Sequence, residues 1–299
     1  MRPELIRASK LLQNGSPRAA EEAIGLLQNT VYGFSMKVCG HPEDAEDTMQ
    51  EVLYRSLPYL AKIQEPRALA VWLYTVTRNR CWRMRRKPAG APAHTLSLDD
   101  LMPNEAELAH LLEDTSQTPE KDLLNSERQS ELHRVVLKLP VPLRLVLVLH
   151  DMEELTTDET AQVLGLQPGT VRVRLHRARL AVRKLLQQTA TEATHHLRKR
   201  ASHQSLKRRP ADCRDIFANL SELIDDHADP ATCERMQAHI DACPACVAFL
   251  GDLRRAIDRC RSLETPCSPA ITNKLNALFT REYLDLIGTK PEPKSGNKM

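Results

Sequence analysis

The segment that most constrains this chain is Leu155–Leu186, LTTDETAQVLGLQPGTVRVRLHRARLAVRKLL, whose residue spacing predicts two helices around a tight turn. Thr157 is the predicted N-cap of the first helix, because acids follow it in the first turn. Gly165 suits a left-handed C-cap, and Pro168 favours the start of a second helix. The pattern is typical of a helix-turn-helix.

The second helix of this segment divides into an apolar stripe and a basic remainder. Its apolar residues recur at spacings of three and four, which predicts a buried stripe: Val171, Leu175, Ala178 and Val182. Six residues between Gly165 and Leu186 are basic and none is acidic. Such a helix suits the phosphate-lined major groove of DNA, although a solvated basic face on a helical hairpin has the same composition. The side chains predicted to contact DNA are Thr170, Arg172, Arg174, His176, Arg177 and Arg179.

The composition predicts an all-α protein made of small modules. Aromatic residues are only 4% of the 299, and the alternation typical of strands is scarce. The net charge of +3 averages over segments that are strongly acidic or strongly basic. The length allows two or three domains.

Several protein classes are disfavoured by what the sequence lacks. The N-terminus has no apolar signal core, and the longest apolar runs are far too short to cross a bilayer. We therefore expect a cytoplasmic protein. Neither a phosphate-binding loop nor a nucleophile elbow occurs, so we expect no catalytic residues and no enzyme.

Two stretches of the N-terminal half carry opposite charges. A helix predicted from Pro42 bears an acidic face, which a merely solvated surface would also explain. The next predicted helix, Ala68–Arg86, contains Trp72 and runs into Arg78–Lys87, which holds six basic residues and no acid. Basic side chains interleaved with tryptophan suit single-stranded nucleic acid, whereas Trp72 equally fits a place in the core.

The C-terminal part crowds six of the eight cysteines between Cys213 and Cys267. Four residues form a C-x25-H-x3-C-x2-C pattern, a spacing that a tetrahedral Zn²⁺ site can use: Cys213, His239, Cys243 and Cys246. A reduced, metal-free helical hairpin is the alternative. Three further cysteines are either buried apolar residues or part of a redox or soft-metal sensor: Cys233, Cys260 and Cys267.

Three segments together resemble a bacterial sigma factor of the extracytoplasmic-function (ECF) class. They are DAEDTMQEVLYRSLPYL, AVWLYTVTRNRCWRMRRK and the run from LKLPVPLRLVLVLHDMEEL through the helix-turn-helix. The resemblance covers residues 19–87 and 127–188, roughly half of the chain. LSELIDDHADPATCERMQAHIDACPAC further resembles the zinc-binding anti-sigma domain that usually belongs to a separate protein.

The resemblance implies core RNA polymerase and promoter DNA as partners and assigns residues to each. Docking on polymerase falls to Asp44, Asp47, Gln50 and Glu51. Capture and melting of the −10 element fall to Trp72, Arg78, Asn79, Arg80 and Arg83. The helix Gly169–Arg179 would read the −35 element. The anti-sigma-like domain would contact the DNA-reading modules of its own chain and regulate them, with either sign.

These observations predict six successive parts of the chain. In order they are a region 2-like helical domain (1–87), an acidic linker (88–126), a region 4-like domain (127–189), a basic linker (190–210), a zinc-finger domain (211–265) and a C-terminal helix with a disordered tail (266–299). Two other functions also fit the motifs: a stand-alone helix-turn-helix regulator, and a metal-sensing interaction protein.

Overall fold

A computed structural model describes residues 1–60, 62–84, 123–195, 211–225 and 229–288. Within these ranges the regular structure is helical and no strand occurs, which confirms the all-α prediction. Residues 88–122 and 196–210 of the two predicted linkers, and the predicted tail from residue 289, lie outside the described residues.

The described residues form twelve α-helices. In chain order they are α1 (Pro3–Asn14), α2 (Pro17–Cys39), α3 (Pro42–Leu60), α4 (Pro66–Met84), α5 (Leu123–Lys138), α6 (Val141–Leu147), α7 (Thr157–Leu164), α8 (Pro168–His195), α9 (Ala211–Ile224), α10 (Pro230–Ala242), α11 (Pro244–Arg261) and α12 (Pro269–Ile287). A π-helical turn, Val148–Met152, continues α6. Among these helices, none combines the length and apolar character that a membrane crossing requires.

Proline and glycine set many of the helix ends, as the sequence predicts. Proline begins α3 at Pro42 and α8 at Pro168, where its missing N–H costs no helical hydrogen bond. Gly40 ends α2 and Gly165 ends α7, with φ of 82° and 66°. Left-handed backbone of this kind favours glycine because glycine has no Cβ.

The first of two compact units combines α1–α4 with Glu153–Leu166 and with α12. Its core forms around α2, whose Ile24, Leu27 and Phe34 are fully buried. The Phe34 ring packs on Tyr74 of α4 with 5.1 Å between the ring centroids. Helix α12 packs on α2 and α3, and α7 packs on α4.

Glycines on α2 allow the C-terminal segment to approach closely. Thr265 Oγ1 donates a hydrogen bond of 3.0 Å to the Gly33 carbonyl. A Cβ at Gly33 would lie 3.2 Å from that hydroxyl and 3.4 Å from the Thr265 carbonyl, whereas a Cβ at Gly25 would meet only Asn276 Nδ2, at 3.7 Å. Gly25 therefore has room for a methyl group, whereas Gly33 does not.

We expect the Gly33→Ala variant to have a lower free energy of unfolding than the Gly25→Ala variant, although both substitutions raise helix propensity. Replacement of glycine by alanine inside a helix stabilises by about 0.5–1 kcal/mol. At Gly33 the added methyl overpacks against Thr265, a cost of roughly 1–3 kcal/mol. Urea unfolding of both variants measures the difference. Equal gains in the free energy of unfolding would show that Thr265 does not pack this closely on Gly33.

The second compact unit combines α5, α6, the π-helical turn and α8 with α9–α11. Helix α8 is central, because it packs on α5, α6, α9 and α11. The predicted stripe of Val171, Leu175, Ala178 and Val182 is buried, with at most 1% exposed. The apolar face of α8 is therefore as predicted from its periodicity.

The compact units do not follow the order of the predicted sequence modules. Residues Glu153–Leu166 pack with α1–α4, although the helix before them and the helix after them belong to the second unit. The chain likewise leaves α11 in the second unit and enters α12 in the first. The helix-turn-helix segment thus contributes one helix to each unit.

Candidate nucleic-acid interface and metal centre

Helix α7 begins one residue earlier than the sequence predicts. Its N-cap is Thr156, not Thr157: the Thr156 hydroxyl accepts from the Glu159 amide, and the Glu159 carboxylate accepts from the Thr156 amide at 2.8 Å. This reciprocal capping box satisfies two amides that the helix itself leaves unpaired. Thr157 becomes the first helical residue and is buried.

One face of α8, to one side of the apolar stripe, carries four residues at helical spacing. Thr170, Val173, Arg174 and Arg177 follow the i, i+3, i+4, i+7 pattern of one helix face. Thr170 is exposed, Arg174 and Arg177 are half-buried, and Val173 is 54% exposed. Sequence reasoning did not select Val173, yet counting helix positions from Thr170 would have placed it on this face.

A different side of α8 is covered by the C-terminal helices, and it contains two of the predicted DNA contacts. His176 is 7% exposed and its Nδ1 lies 2.9 Å from Ser221 Oγ. Arg179 is 1% exposed and forms two hydrogen bonds to Asp225, at 2.7 and 2.8 Å. Neither side chain is accessible to DNA in this arrangement, whereas Thr170 and Arg172 are exposed.

The same covered side continues one helical turn further, to Arg183. Its Nε lies 2.8 Å from Asp252 Oδ2, and its guanidinium lies over the Phe249 ring, 4.2 Å from the centroid. Asp252 also accepts a hydrogen bond of 3.0 Å from Gln187. We call the residues of α9–α11 that hold α8 the acidic clasp: Ser221, Asp225, Phe249 and Asp252.

Arg179 is held from within its own region as well as by the clasp. Its Nε and Nη2 donate to the two carboxylate oxygens of Asp151, at 2.8 and 2.6 Å, and both side chains are fully buried. Burial favours the neutral form of Asp151, but the hydrogen bonds and charge of Arg179, then those of His150, hold the pKa of Asp151 well below its usual range. Burial would lower the pKa of Arg179, yet Asp151 and then Asp225 raise it.

The burial of His176 under the acidic clasp predicts that mild acid weakens the packing of α8 on the clasp. Burial, then the charges of Arg179 and Arg177, lower the pKa of His176 from 6.5 to about 4. Because the unfolded chain binds this proton more readily, the stabilisation present above pH 6.5 declines as the pH falls toward 4, by about 2 kcal/mol at pH 5. Unfolding of the second unit between pH 7 and 5 measures this loss. His176→Gln should flatten the profile, and an unchanged profile would contradict the prediction.

The predicted −10 residues lie on α4 in mixed environments. Trp72 is half-buried, with its ring 5.8 Å from that of exposed Tyr59. Arg78 and Asn79 are half-buried and hydrogen-bonded to each other, at 2.5 Å from Arg78 Nη2. Arg80 forms an ion pair of 2.5 Å with Glu51 on α3. The Arg83 side chain lies outside the described part of the chain.

The predicted polymerase-docking residues share α3, but they differ in accessibility. Asp47 and Gln50 are exposed and Asp44 is half-buried. Glu51 pairs with Arg80 and also with Arg55, at 2.9 Å. The exposed part of the predicted docking face is therefore Asp47 and Gln50, with Asp44 at its edge.

The four predicted metal ligands come together although 33 positions separate the first from the last. Their ligand atoms all lie within 4.8 Å of one another, and Cys213 Sγ is 3.4 Å from His239 Nε2, 3.9 Å from Cys243 Sγ and 3.8 Å from Cys246 Sγ. Three thiols and one imidazole in a group of this size fit the Cys₃His donor set of a tetrahedral metal site.

Three helices supply these ligands, and two of the three also carry the acidic clasp. Cys213 lies in the first turn of α9, His239 in the last turn of α10, and Cys243 caps α11. Burial opposes ionisation of Cys243, but hydrogen bonds from the Cys246 amide and from neighbouring thiols lower its pKa. Burial, then the Cys243 and Cys213 thiols, raise the pKa of Cys246, so the first thiolate of this pair forms at Cys243.

The remaining C-terminal cysteines lie away from the four-ligand group. Cys260 and Cys267 are buried and Cys233 is half-buried. Burial raises the pKa of the Cys260 and Cys267 thiols, which disfavours reactive thiolates there.

Family models match three parts of the chain. The sigma-70 region 2 family matches residues 24–90, the sigma-70, region 4 family matches residues 129–182, and a family described as "Putative zinc-finger" matches residues 213–246. The first two matches flank residues 91–128, in the same order as the predicted modules. Regions 2 and 4 together make the chain a sigma factor.

Curated relatives agree with this assignment. The RNA polymerase sigma-H factor of Pseudomonas aeruginosa is 28% identical over 186 residues, which are 61% of this chain and 93% of that protein. The ECF RNA polymerase sigma factor SigW of Bacillus subtilis is 26% identical over 59% of this chain and 94% of its own length. SigE of Mycolicibacterium smegmatis is 29% identical over 58% and 63%. This sigma factor thus carries an anti-sigma-like zinc-finger domain in addition to regions 2 and 4.

Proposed function

We propose that this sigma factor directs core RNA polymerase to a subset of promoters in the cytoplasm, and that its C-terminal domain holds it closed until a signal releases it. The domain boundaries of the proposal are those predicted from the sequence, with residues 211–265 as the regulatory domain. Core polymerase and promoter DNA are the partners, and the chain performs no chemical step itself.

The observation that carries the closed state is the packing of α7 on α4 within the first unit. Glu159 of α7 lies 3.8 Å from Arg67 of α4, and Glu153, just before α7, is buried against Lys37 and Tyr74. In the proposal α4 meets the −10 element, whereas α7 leads into the reader of the −35 element.

Promoter geometry makes this packing incompatible with transcription initiation. The −10 and −35 elements are named for their positions on the DNA, which are about 25 base pairs apart. At 3.4 Å per base pair this separation is roughly 85 Å. In a helix-turn-helix the first helix lies across the backbone next to the reading helix. A docked α7 therefore cannot stand at the −35 element while α4 stands at the −10 element.

The acidic clasp supports inhibition by competition for charge. Asp225 and Asp252 pair with Arg179 and Arg183, two cations one helical turn apart that would otherwise face phosphates. The base-reading turn with Thr170 and Arg172 remains exposed. We therefore infer that the clasp weakens backbone contacts and retains α8, rather than covering the residues that read bases.

Zn²⁺ is the metal that we propose for the four-ligand group, because Cys₃His is a donor set of structural zinc sites. The ligands join α9, α10 and α11, and the clasp residues are on α9, on α11 and just after α9. When bound, the metal supplies a staple between these helices. Loss of the metal or the oxidation of a ligand is then the release signal.

Run-off transcription with core polymerase tests the proposal. The full chain, with zinc and with a chelator, is compared with a chain that ends at Thr189. We expect weak transcription from the zinc-loaded full chain and at least tenfold more from the other two. DNA binding without transcription from either chain would favour a stand-alone regulator. A truncated chain no more active than the full chain would contradict inhibition by the C-terminal domain.

A further inference from the structure

Glu153 is a carboxylate buried in the first unit, on the segment between the π-helical turn and α7. Its side chain is 2% exposed. Lys37 Nζ of α2 donates to one oxygen at 2.7 Å, and Tyr74 Oη of α4 donates to the other at 2.7 Å. Arg2 Nε lies 3.3 Å away. Region 2 thus supplies both hydrogen-bond donors to a carboxylate of region 4.

A carboxylate at such depth is stable only while its partners are in place. The Lys37 side chain is itself 3% exposed, so each charge relies on the other. Removal of one partner from a buried pair is strongly unfavourable, because the remaining charge is neither solvated nor neutralised. Glu153 and Lys37 therefore either stay together or return to water together.

The next residue stores strain in the same place. Glu154 has φ of 57°, the one positive φ outside glycine in the described residues. A side chain with a Cβ adopts this left-handed backbone at a cost, and such residues concentrate where two states compete. Its own side chain is 52% exposed, so no burial of Glu154 compensates for the strain.

We propose that Glu153 is a latch that docks region 4 on region 2, and that the strained Glu154 is the hinge that opens it. The latch acts without the metal centre, since all four predicted ligands belong to the second unit. After the C-terminal domain is released, region 4 therefore remains docked on region 2. Binding of polymerase or promoter DNA must separate the two regions. This inference rests on the proposed function for its role in transcription, but the docking itself does not.

Hydrogen exchange of the full, zinc-loaded chain tests the latch. Glu153→Gln should speed exchange in residues 157–164 about a hundredfold, because the neutral amide no longer balances buried Lys37. Glu154→Gln is the matched control: the same chemical change at an exposed neighbour should leave exchange within twofold of the unsubstituted chain. Glu154→Gly should slow exchange on the order of threefold, because relief of the strain exceeds the entropy that glycine loses.

The latch predicts opposite effects on hydrogen exchange at adjacent positions: faster exchange in Glu153→Gln and slower exchange in Glu154→Gly. Equal exchange in Glu153→Gln and the unsubstituted chain would overturn it, and so would acceleration by Glu154→Gly. Acceleration throughout α2, rather than at residues 157–164, would also overturn it, since Glu153 would then stabilise region 2 itself. Bound metal should remain unchanged. Because exchange needs neither polymerase nor promoter, the latch and the proposed function can fail separately; run-off transcription from Glu153→Gln then measures its contribution to inhibition.

Discussion

Cys246→Ser is expected to abolish stoichiometric metal binding and to unfold the C-terminal module. Cys246 is fully buried, and its thiol lies within 4.8 Å of the other three ligand atoms. Zinc binding contributes about 10–16 kcal/mol to the folding of small zinc modules. A module of about 55 residues has too small a core to replace that contribution. Metal analysis, with circular dichroism of the helices, measures both losses.

Cys233→Ser is the matched control, because Cys233 is half-buried and lies outside the four-ligand group. It should retain one metal per chain and the same helicity. Transcription should rise at least tenfold in Cys246→Ser and remain low in Cys233→Ser. If Cys246→Ser loses the metal but stays as inactive as the unsubstituted chain, the metal does not maintain the inhibited state.

Local patterns were sufficient to predict the helices and the Cys/His group. Helix periodicity identified the buried stripe of α8, and the Cys-x2-Cys pair with His239 identified three members of that group on adjacent helices. Even Cys213, distant in sequence, was predicted, because a tetrahedral site needs a fourth donor. Such features depend on a few residues and on simple geometry, so they can be read without the tertiary structure.

The partners of the charged residues could not be predicted in the same way. Arg179 and Arg183 have the same sequence character as Arg172, yet the first two are 1% exposed and Arg172 is exposed. A basic side chain on a helix suits a phosphate or a carboxylate equally well, and only the tertiary packing of α9 and α11 decides between them. Glu153 is a similar case, since acids are almost never buried without a partner and its partner Lys37 is 116 residues away.

Asp151→Asn and Asp225→Asn should have opposite effects on transcription, although both carboxylates hold the same guanidinium. Asp151 is fully buried and binds Arg179 through both of its oxygens. Its loss leaves a buried cation with half of its partners, at a cost of roughly 3–5 kcal/mol in the free energy of unfolding. Because Asp151 and Arg179 both belong to region 4, we expect a less stable region 4 and reduced transcription even from the chain that ends at Thr189.

Asp225 is the peripheral partner, with 11% of its side chain exposed. Asp225→Asn leaves Arg179 paired with Asp151 and weakens only the clasp, so region 4 should keep its stability while transcription from the full chain rises about tenfold, the equivalent of 1.4 kcal/mol. Urea unfolding and run-off transcription separate these two outcomes. A fall in transcription with Asp225→Asn would mean that the clasp supports promoter binding instead of opposing it.

The stability of the protein in acid should test the role of Asp151 independently. The pKa of Asp151 lies well below its usual range, whereas the unfolded value is about 3.9. Its contribution is therefore complete above about pH 5 and declines as the pH falls through the unfolded value toward the lower folded one. Asp151→Asn should flatten this acid limb of the stability profile. Arg179 can then serve two purposes with one guanidinium: its bond to Asp151 builds the reading helix into region 4, and its bond to Asp225 lets the C-terminal domain hold that helix back.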